Sequence, residues 1–274
     1  MKKFLCICCT LVATGLLTSS PSLAAPLTVG IAPQGSARIV LETYQPLRQY
    51  LEKTLGYQVD IVTAPDVDEF ARRGLAGAYD IAVTTSHQGR LLQTDAGYLP
   101  LLAYRADSLS LAIVADSGHV TKPADLNSME VLGLDPTSQV TLWGQHWLKD
   151  HRVSARFRYV SASDSVAQLV AAGESAAGFT SLADYQKLPD RVRSRLRILA
   201  RSPASPGRVY LLSPRLSAKR KEIESALWAF AATPEAKKHF DDDGLEGYRK
   251  LKLNELNVMD AYAAQVRKDL GKAP

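Results

Sequence analysis

The chain has 274 residues, of which 46% are hydrophobic and 22% are charged, and its formal net charge is +5 at pH 7. This is the composition of a globular protein, and it excludes collagen-like, coiled-coil and fully disordered chains. All three cysteines, Cys6, Cys8 and Cys9, lie in the first ten residues. Chemistry that needs a thiol elsewhere in the chain is therefore excluded.

The first 24 residues have the pattern of a secretory signal peptide. Lys2 and Lys3 form a basic start, residues 4–17 are an uncharged apolar run, and small residues precede the cleavage point at Ala24. The apolar run is shorter than the ~20 residues that a transmembrane helix needs. Cleavage there leaves a periplasmic protein without cysteine. The weak positive charge that remains gives no reason to expect a nucleic-acid partner.

In the first half of the chain, short apolar runs alternate with segments in which apolar residues recur at helical spacing. Strands are predicted at 27–31, 59–62, 79–83, 99–104 and 109–115. A helix that carries apolar residues from Ile39 onward is expected to end at Gly56, and a shorter helix covers 69–75. This order of strand and helix predicts a parallel sheet with helices on its faces.

The second half repeats the same order. Strands are predicted at 131–134, 157–160, 176–179, 197–200 and 209–212, and the chain from 218 onward is predicted to be mostly helical. Ser163 or Asp164 is expected to cap one helix, and Thr233 another. The repetition predicts two α/β lobes with a cleft between them. We expect the first lobe over 25–107 and 206–274 and the second over 108–205.

No motif for covalent catalysis, metal binding or nucleotide binding is found. The chain lacks the G-x-S-x-G, H-E-x-x-H, P-loop and G-x-G-x-x-G patterns. His146 and His151 are five residues apart, which does not place them on one helix face. Asp241, Asp242 and Asp243 lack the ligand spacing of a calcium loop and are typical of a solvated helix end. We therefore expect no enzyme, no metal and no cofactor.

Three hydroxyl-rich segments follow predicted strands. They are Thr84-Thr85-Ser86, Thr137-Ser138-Gln139 and Ser161-Ala162-Ser163. Ligands of open α/β sheets bind outside the carboxyl ends of the strands. The last two segments also lie at predicted helix N-termini, where free N–H groups favour an anion. Each segment alone is more typical of an ordinary helix cap, but together they predict a small anionic ligand.

A series of short motifs runs in order along nearly the whole chain. It includes Val29-Gly30-Ile31, Tyr44-Gln45-Pro46-Leu47, Tyr79-Asp80-Ile81-Ala82, Asp135-Pro136-Thr137-Ser138 and Thr233-Pro234-Glu235. In this series the chain resembles the phosphate/phosphite/phosphonate ABC-transporter substrate-binding proteins. The resemblance implies a type II periplasmic binding protein fold, in which two lobes joined by two crossing strands close over a ligand. It also implies a monomer that delivers its ligand to an ABC permease in the inner membrane.

Departures from that family's pattern bear on the ligand. Gln139 follows Ser138 where further Ser and Thr are usual, and Ser163 stands where a His is common. Arg208 stands after Pro206-Gly207, where phosphonate binders carry an acid that meets the substrate amine. If Arg208 faces the cleft, it disfavours an aminophosphonate and favours a more strongly anionic ligand, or a carboxylate or sulfonate. The alternative is that Arg208 points to solvent.

The sequence thus predicts a periplasmic solute-binding protein for a small oxyanion. The alternative is a ligand-sensing protein of the same fold that signals to a membrane-bound sensor kinase, which the departures from the ligand motif favour. The candidate ligand-binding residues are Thr84, Thr85, Ser86, Thr137, Ser138, Gln139, Ser163 and Arg208.

Overall fold

The protein has two lobes, and each lobe is built on one β-sheet with flanking helices. The structure is a computed structural model that describes residues 25–33 and 36–271. The predicted α/β class and the two-lobed fold are confirmed. The predicted signal peptide lies outside the described residues. Within them, no helix is both long enough and apolar enough to cross a membrane.

The first lobe contains a six-stranded sheet. Its strands are β1 (Leu27–Ile31), β2 (Val59–Val62), β3 (Ile81–Thr84), β4 (Leu99–Tyr104), β10 (Val209–Leu212) and β11 (Tyr248–Arg249). Their spatial order is β11-β4-β10-β3-β1-β2. Strand β1 is parallel to β2 and β3, and β10 is antiparallel to β3 and β4. The carboxyl ends of β1, β2 and β3 therefore share one edge.

The helices from the same parts of the chain are α1 (Ala37–Leu55), α2 (Val67–Leu75), α3 (Ser86–Asp95), α8 (Arg220–Ala231), α9 (Pro234–Asp243) and α10 (Asp260–Leu270). Short 3₁₀ helices cover Pro214–Lys219 and Glu255–Met259. The expectation of a mostly helical C-terminal region misses β11, which adds two residues to the edge of the sheet beside β4.

The second lobe contains a five-stranded sheet. Its strands are β5 (Ser110–Ala115), β6 (Glu130–Gly133), β7 (Arg156–Tyr159), β8 (Ala177–Ser181) and β9 (Leu196–Arg201), in the spatial order β7-β6-β8-β5-β9. Its helices are α4 (Gln139–Asp150), α5 (Ser163–Ala171), α6 (Leu182–Lys187) and α7 (Asp190–Arg193), with a 3₁₀ turn at Pro123–Leu126. Strand β6 is parallel to β7 and β8, so the segments after these strands meet at one edge.

Helix α1 illustrates how the local sequence produces these elements. The Ser36 side chain accepts a hydrogen bond from the Ile39 N–H, which caps the start of the helix. Gly56 ends it with φ of 71°, a left-handed conformation that glycine adopts without strain. Val40 and Leu51 bury one face against the sheet, whereas Ile39 is 52% exposed and lies off that face.

The chain crosses between the lobes twice. Ser108 and Ser205 pair across the two crossings, with N···O distances of 2.9 and 3.0 Å in the two directions. Strands β5 to β9 all lie between these crossings in sequence. The domain boundaries given above stay a prediction.

Helix α10 touches both lobes. It is held on α3 by ion pairs of Asp260 with Arg90, at 2.6 Å, and of Arg267 with Asp95, at 2.6 Å. Leu142 of α4, in the second lobe, is completely buried and packs in one apolar cluster with side chains of the first lobe and of α10. The other buried members of this cluster are Ala71, Leu91, Ala263 and Val266. The two lobes are therefore in direct contact, and we call this arrangement the closed form.

Candidate ligand-binding site

The first hydroxyl-rich segment lies at the end of β3 and the start of α3. Thr84 is the last residue of β3, Thr85 is the N-cap of α3, and Ser86 is its first residue. No helix is predicted between the strands at 79–83 and 99–104, so the prediction for this part of the chain is wrong. Because Thr85 makes no side-chain cap, this helix N-terminus resembles those that bind anions through backbone N–H groups.

The two buried hydroxyls of this segment differ in their partners. The Thr84 hydroxyl donates to Gln88 Oε1 at 2.8 Å, so it is already engaged. The Ser86 side chain is completely buried, and its Oγ has no hydrogen-bond partner among the described residues. A buried hydroxyl without a partner costs free energy of about 1–3 kcal/mol. Ser86 is therefore the member of the segment that a ligand would satisfy.

Arg208 directly precedes β10. Val209 pairs with Thr84 in the antiparallel ladder, so the backbone of Arg208 lies next to that of Thr85. Because the Val209 side chain faces Gly89 of α3, the Arg208 side chain points to the opposite face of the sheet. One guanidinium nitrogen, Nη1, is buried and has no hydrogen-bond partner in the described part of the chain. A buried guanidinium nitrogen is satisfied by an anion. The alternative that Arg208 points wholly to solvent does not fit this burial.

The second hydroxyl-rich segment follows β6 and starts α4. Ser138 is the N-cap of α4, as its sequence context suggests: its Oγ accepts from the Thr141 N–H at 3.4 Å and donates to Thr141 Oγ1 at 2.9 Å. The Thr137 N–H donates to Asp135 Oδ1 at 2.9 Å. Thr137 is almost fully buried, so this segment is folded into the boundary between the lobes.

Two side chains of the first lobe that are not among the predicted site residues bring the two segments together. His87 Nε2 lies 3.0 Å from the carbonyl oxygen of Thr137, and Asp68 Oδ1 accepts from the Thr137 hydroxyl at 2.6 Å. Gln139 Nε2 donates to Ser205 Oγ, at the crossing, at 2.8 Å. No local pattern signals these contacts, because Asp68 and Thr137 are 69 residues apart.

Burial shifts the pKa of both His87 and Asp68. His87 is 1% exposed, and its burial lowers its pKa to about 4, so the ring is neutral at pH 7. Burial also raises the pKa of Asp68, and the nearby Asp135 carboxylate adds to the rise. The boundary between the lobes is thus a place where a charge from either group is disfavoured.

Ser163 lies apart from this group. It is the first residue of α5, whose N-cap is Ala162 without a side-chain hydrogen bond, so the predicted capping by Ser163 or Asp164 is wrong. The Ser163 hydroxyl donates to Asp184 Oδ2 at 3.0 Å, and the same oxygen accepts from Ser181 Oγ at 2.7 Å. Its role in ligand binding stays a prediction. Within residues 25–33 and 36–271, no cluster of three His, Cys, Asp or Glu side chains suits a metal ion.

The chain forms two α/β lobes that are joined by two crossings, and polar segments at the strand ends face one another. This is the fold of a two-lobed binding protein of the periplasmic type. The sequence profile of the periplasmic substrate-binding proteins of phosphonate ABC transporters matches residues 29–256. The chain therefore belongs to this family, which is a family of transporter components rather than of enzymes.

Solved structures agree on the fold. XAC2383 from Xanthomonas citri, bound to chloride, has a TM-score of 0.78 at 20% identity, over 90% of this chain and 100% of that one. PhnD1 from Prochlorococcus marinus in complex with methylphosphonate has a TM-score of 0.73 at 14% identity, over 88% and 98%. The aliphatic sulphonate binding protein SsuA from Escherichia coli has a TM-score of 0.60 at 13% identity, over 89% and 92%. A search of curated protein sequences finds no match.

Proposed function

We propose that this protein binds a small oxyanion between its lobes in the periplasm and delivers it to an ABC importer. The observation that carries the proposal is a pair of buried donors that have no partner among the described residues, Ser86 Oγ in the first turn of α3 and Arg208 Nη1. The N-terminus of α3 also favours a negative charge. An oxyanion is an acceptor for donors of each of these kinds.

The facing segment of the second lobe supplies the other half of the site. Thr137 and Ser138 lie at the start of α4, and Thr137 already contacts the first lobe through His87 and Asp68. A ligand held between the starts of α3 and α4 bridges the lobes and stabilises their closure. Ligands that bind one conformation more tightly shift the population toward it.

Delivery to an importer and the periplasmic location rest on family membership. The family consists of periplasmic substrate-binding components of ABC transporters, and the first 24 residues have the pattern of a cleaved signal peptide. PhnD1 was solved in complex with methylphosphonate, which makes a phosphonate the first ligand to test here.

Binding is tested by isothermal titration and thermal shift of the mature chain with methylphosphonate, phosphate, phosphite and acetate. A ligand present at 100 times its Kd is expected to stabilise the fold by about 2.7 kcal/mol. Ser86→Ala and Arg208→Gln are each expected to weaken binding by about 1.5–3 kcal/mol, because a charged ligand loses a buried donor.

Arg191→Gln is the matched control, since Arg191 is an exposed arginine of α7 and its loss removes the same charge. The control is expected to leave affinity unchanged. Absence of binding for every oxyanion, or equal losses in Arg208→Gln and Arg191→Gln, would contradict the proposed site.

A further inference from the structure

Strand β7 forms one edge of the sheet in the second lobe. Within the described part of the chain it pairs with β6 alone, and it is the first strand in the order β7-β6-β8-β5-β9. The N–H groups of Arg156 and Val160 donate toward β6, to carbonyl oxygens at 2.8 and 3.0 Å. Because N–H groups alternate in direction along a strand, those of Phe157 and Tyr159 point away from the sheet, where another chain can pair with them.

A groove of about 470 Å³ lies beside this edge, between β7 and the second half of α4. Its apolar lining includes Leu148, Val153 and Phe157, which belong to or pack on the interior of the second lobe. Gln145 also lines the groove and donates to the Tyr159 hydroxyl at 3.4 Å, so the groove follows the strand. We call it the β7 groove. Side chains of an additional strand beside β7 would enter it on the α4 side.

Positive charge surrounds the β7 groove. Lys149 and Arg152 line it, and Arg156 projects from the other face of β7, since it alternates with Phe157. All three basic residues are exposed, and among the residues that the structure describes they have neither an ion pair nor a side-chain hydrogen bond. No acidic side chain of the described residues lines the groove. Carboxylates of an occupant would therefore complement its charge.

Two acids lie near these cations in the sequence or in the sheet, and neither lines the groove. Asp150 lies within electrostatic range of Tyr262 in α10. Glu130 of β6 is engaged by Arg158, whose Nε is 2.7 Å from Glu130 Oε1. The β7 edge thus combines free main-chain groups, an apolar groove and unpaired positive charge.

Arg152 has a backbone conformation that favours glycine. Its φ is 57°, and it follows α4 at the position where helices commonly end on glycine. The Arg152 N–H donates to the Lys149 carbonyl oxygen and the Val153 N–H to that of Leu148, both at 2.9 Å, and this turn leads the chain from α4 into the lining of the groove. A cationic side chain therefore lies at a position where glycine would be free of strain.

We propose that the β7 edge and its groove bind an acidic, extended segment of a partner protein, which pairs with β7 as an additional strand. Its carboxylates meet Lys149 and Arg152 on one face and Arg156 on the other, and its apolar side chains fill the groove. Main-chain hydrogen bonds supply affinity in this mode of recognition, and pockets for alternate side chains supply specificity. Lys149 and Arg152 lie at the opposite end of α4 from Ser138, so this surface is separate from the oxyanion site and goes beyond the proposed function.

The test measures fluorescence anisotropy of a labelled peptide of alternating glutamate and valine, about ten residues long, mixed with the chain lacking its first 24 residues. The comparison peptides carry lysine in place of glutamate, or N-methyl groups that remove the main-chain donors. We expect the glutamate peptide to bind at least about tenfold more tightly than either comparison peptide. We also expect it to slow hydrogen exchange at the amides of Phe157 and Tyr159.

Two substitutions remove the cations without disturbing the fold. Arg152→Gly suits the left-handed backbone, and Lys149→Gln changes an exposed side chain. Each is expected to weaken binding of the glutamate peptide by about two- to fivefold, as for an exposed ion pair, and both together by about tenfold. Arg191→Gln is the matched control, because Arg191 is an exposed arginine of α7 in the same lobe, and it is expected to leave the affinity unchanged.

Equal binding of the glutamate and lysine peptides would overturn the proposal, and so would equal binding of the N-methylated peptide. A double variant that binds the glutamate peptide as tightly as Arg191→Gln would overturn it too. If phosphatidylglycerol vesicles bind and the glutamate peptide does not bind at about 1 mM, the surface is one for anionic membranes and the proposal is wrong. None of these outcomes alters the test of oxyanion binding.

Discussion

Acidification is expected to open the lobes through His87. In the closed form its burial lowers its pKa from 6.5 to about 4. In any form that returns the ring to water, the pKa returns to its ordinary value. As pH falls below 6.5, the open form therefore binds a proton that the closed form does not, and closure becomes less favourable until the pH passes below 4.

The size of the pH effect on lobe closure follows from the difference between the ordinary pKa of His87 and its pKa in the closed form. Each pH unit below 6.5 weakens closure by about tenfold, or 1.36 kcal/mol. At pH 4.5 the closed form is thus disfavoured about 60-fold, or by ~2.4 kcal/mol, relative to pH 7. Asp68 acts in the opposite direction, since its pKa is raised in the closed form and a falling pH favours closure through it. The contribution of His87 is therefore the difference between the unmodified chain and His87→Gln, in which the amide keeps a donor for Thr137 but takes up no proton.

Energy transfer between two dyes measures lobe closure directly. Residues 25–274 contain no cysteine, so Lys53→Cys and Glu174→Cys introduce two labelling sites into this part of the chain at exposed positions, one in each lobe. Circular dichroism at each pH verifies that the chain stays folded. We expect transfer to fall between pH 6.5 and 4.5 more steeply with His87 present than in His87→Gln. The same pH dependence in both would refute the reasoning.

Two further substitutions test the contact between the lobes and the crossing. Leu142→Ala removes a completely buried side chain from the cluster shared by the lobes. It is expected to lower the free energy of unfolding by about 2–5 kcal/mol and to reduce closure in the dye assay. Leu148→Ala, in the interior of the second lobe, is the control and is expected to lower the free energy of unfolding without changing closure. Gly207→Ala places a Cβ 2.1 Å from the backbone oxygen of Ala106 in the other crossing, so urea unfolding should show a lower midpoint than in Gly271→Ala, whose Cβ meets nothing nearer than 3.5 Å.

Local sequence patterns were sufficient for most strands and for the start of α4. Apolar runs locate the buried strands because a strand covered on both faces has few polar residues. Ser138 is recognisable because a serine before a helical run caps it through the residue three positions on, here Thr141. The same rule misplaces the cap of α5, where Ser163 turns to Asp184 instead of the backbone.

Helix α3 was missed for a reason that only the folded chain supplies. Its sequence has polar residues in the first turn and a glycine in the middle, which lowers helix propensity. A Cβ at Gly89 would lie 2.5 Å from Val209 Cγ2, so glycine lets the helix pack closely on β10. That close packing is a tertiary requirement, and no local sequence pattern signals it.

The contacts that define the candidate site are long-range for the same reason. Hydroxyl-rich segments after strands are visible in the sequence, but the partners of Thr137 come from the other lobe. Those partners are His87 of α3 and Asp68 of α2, which lie 50 and 69 residues from Thr137 in the sequence. Contacts at that separation form only where the two lobes meet. The packing of the lobes therefore determines them, and no local pattern can predict them.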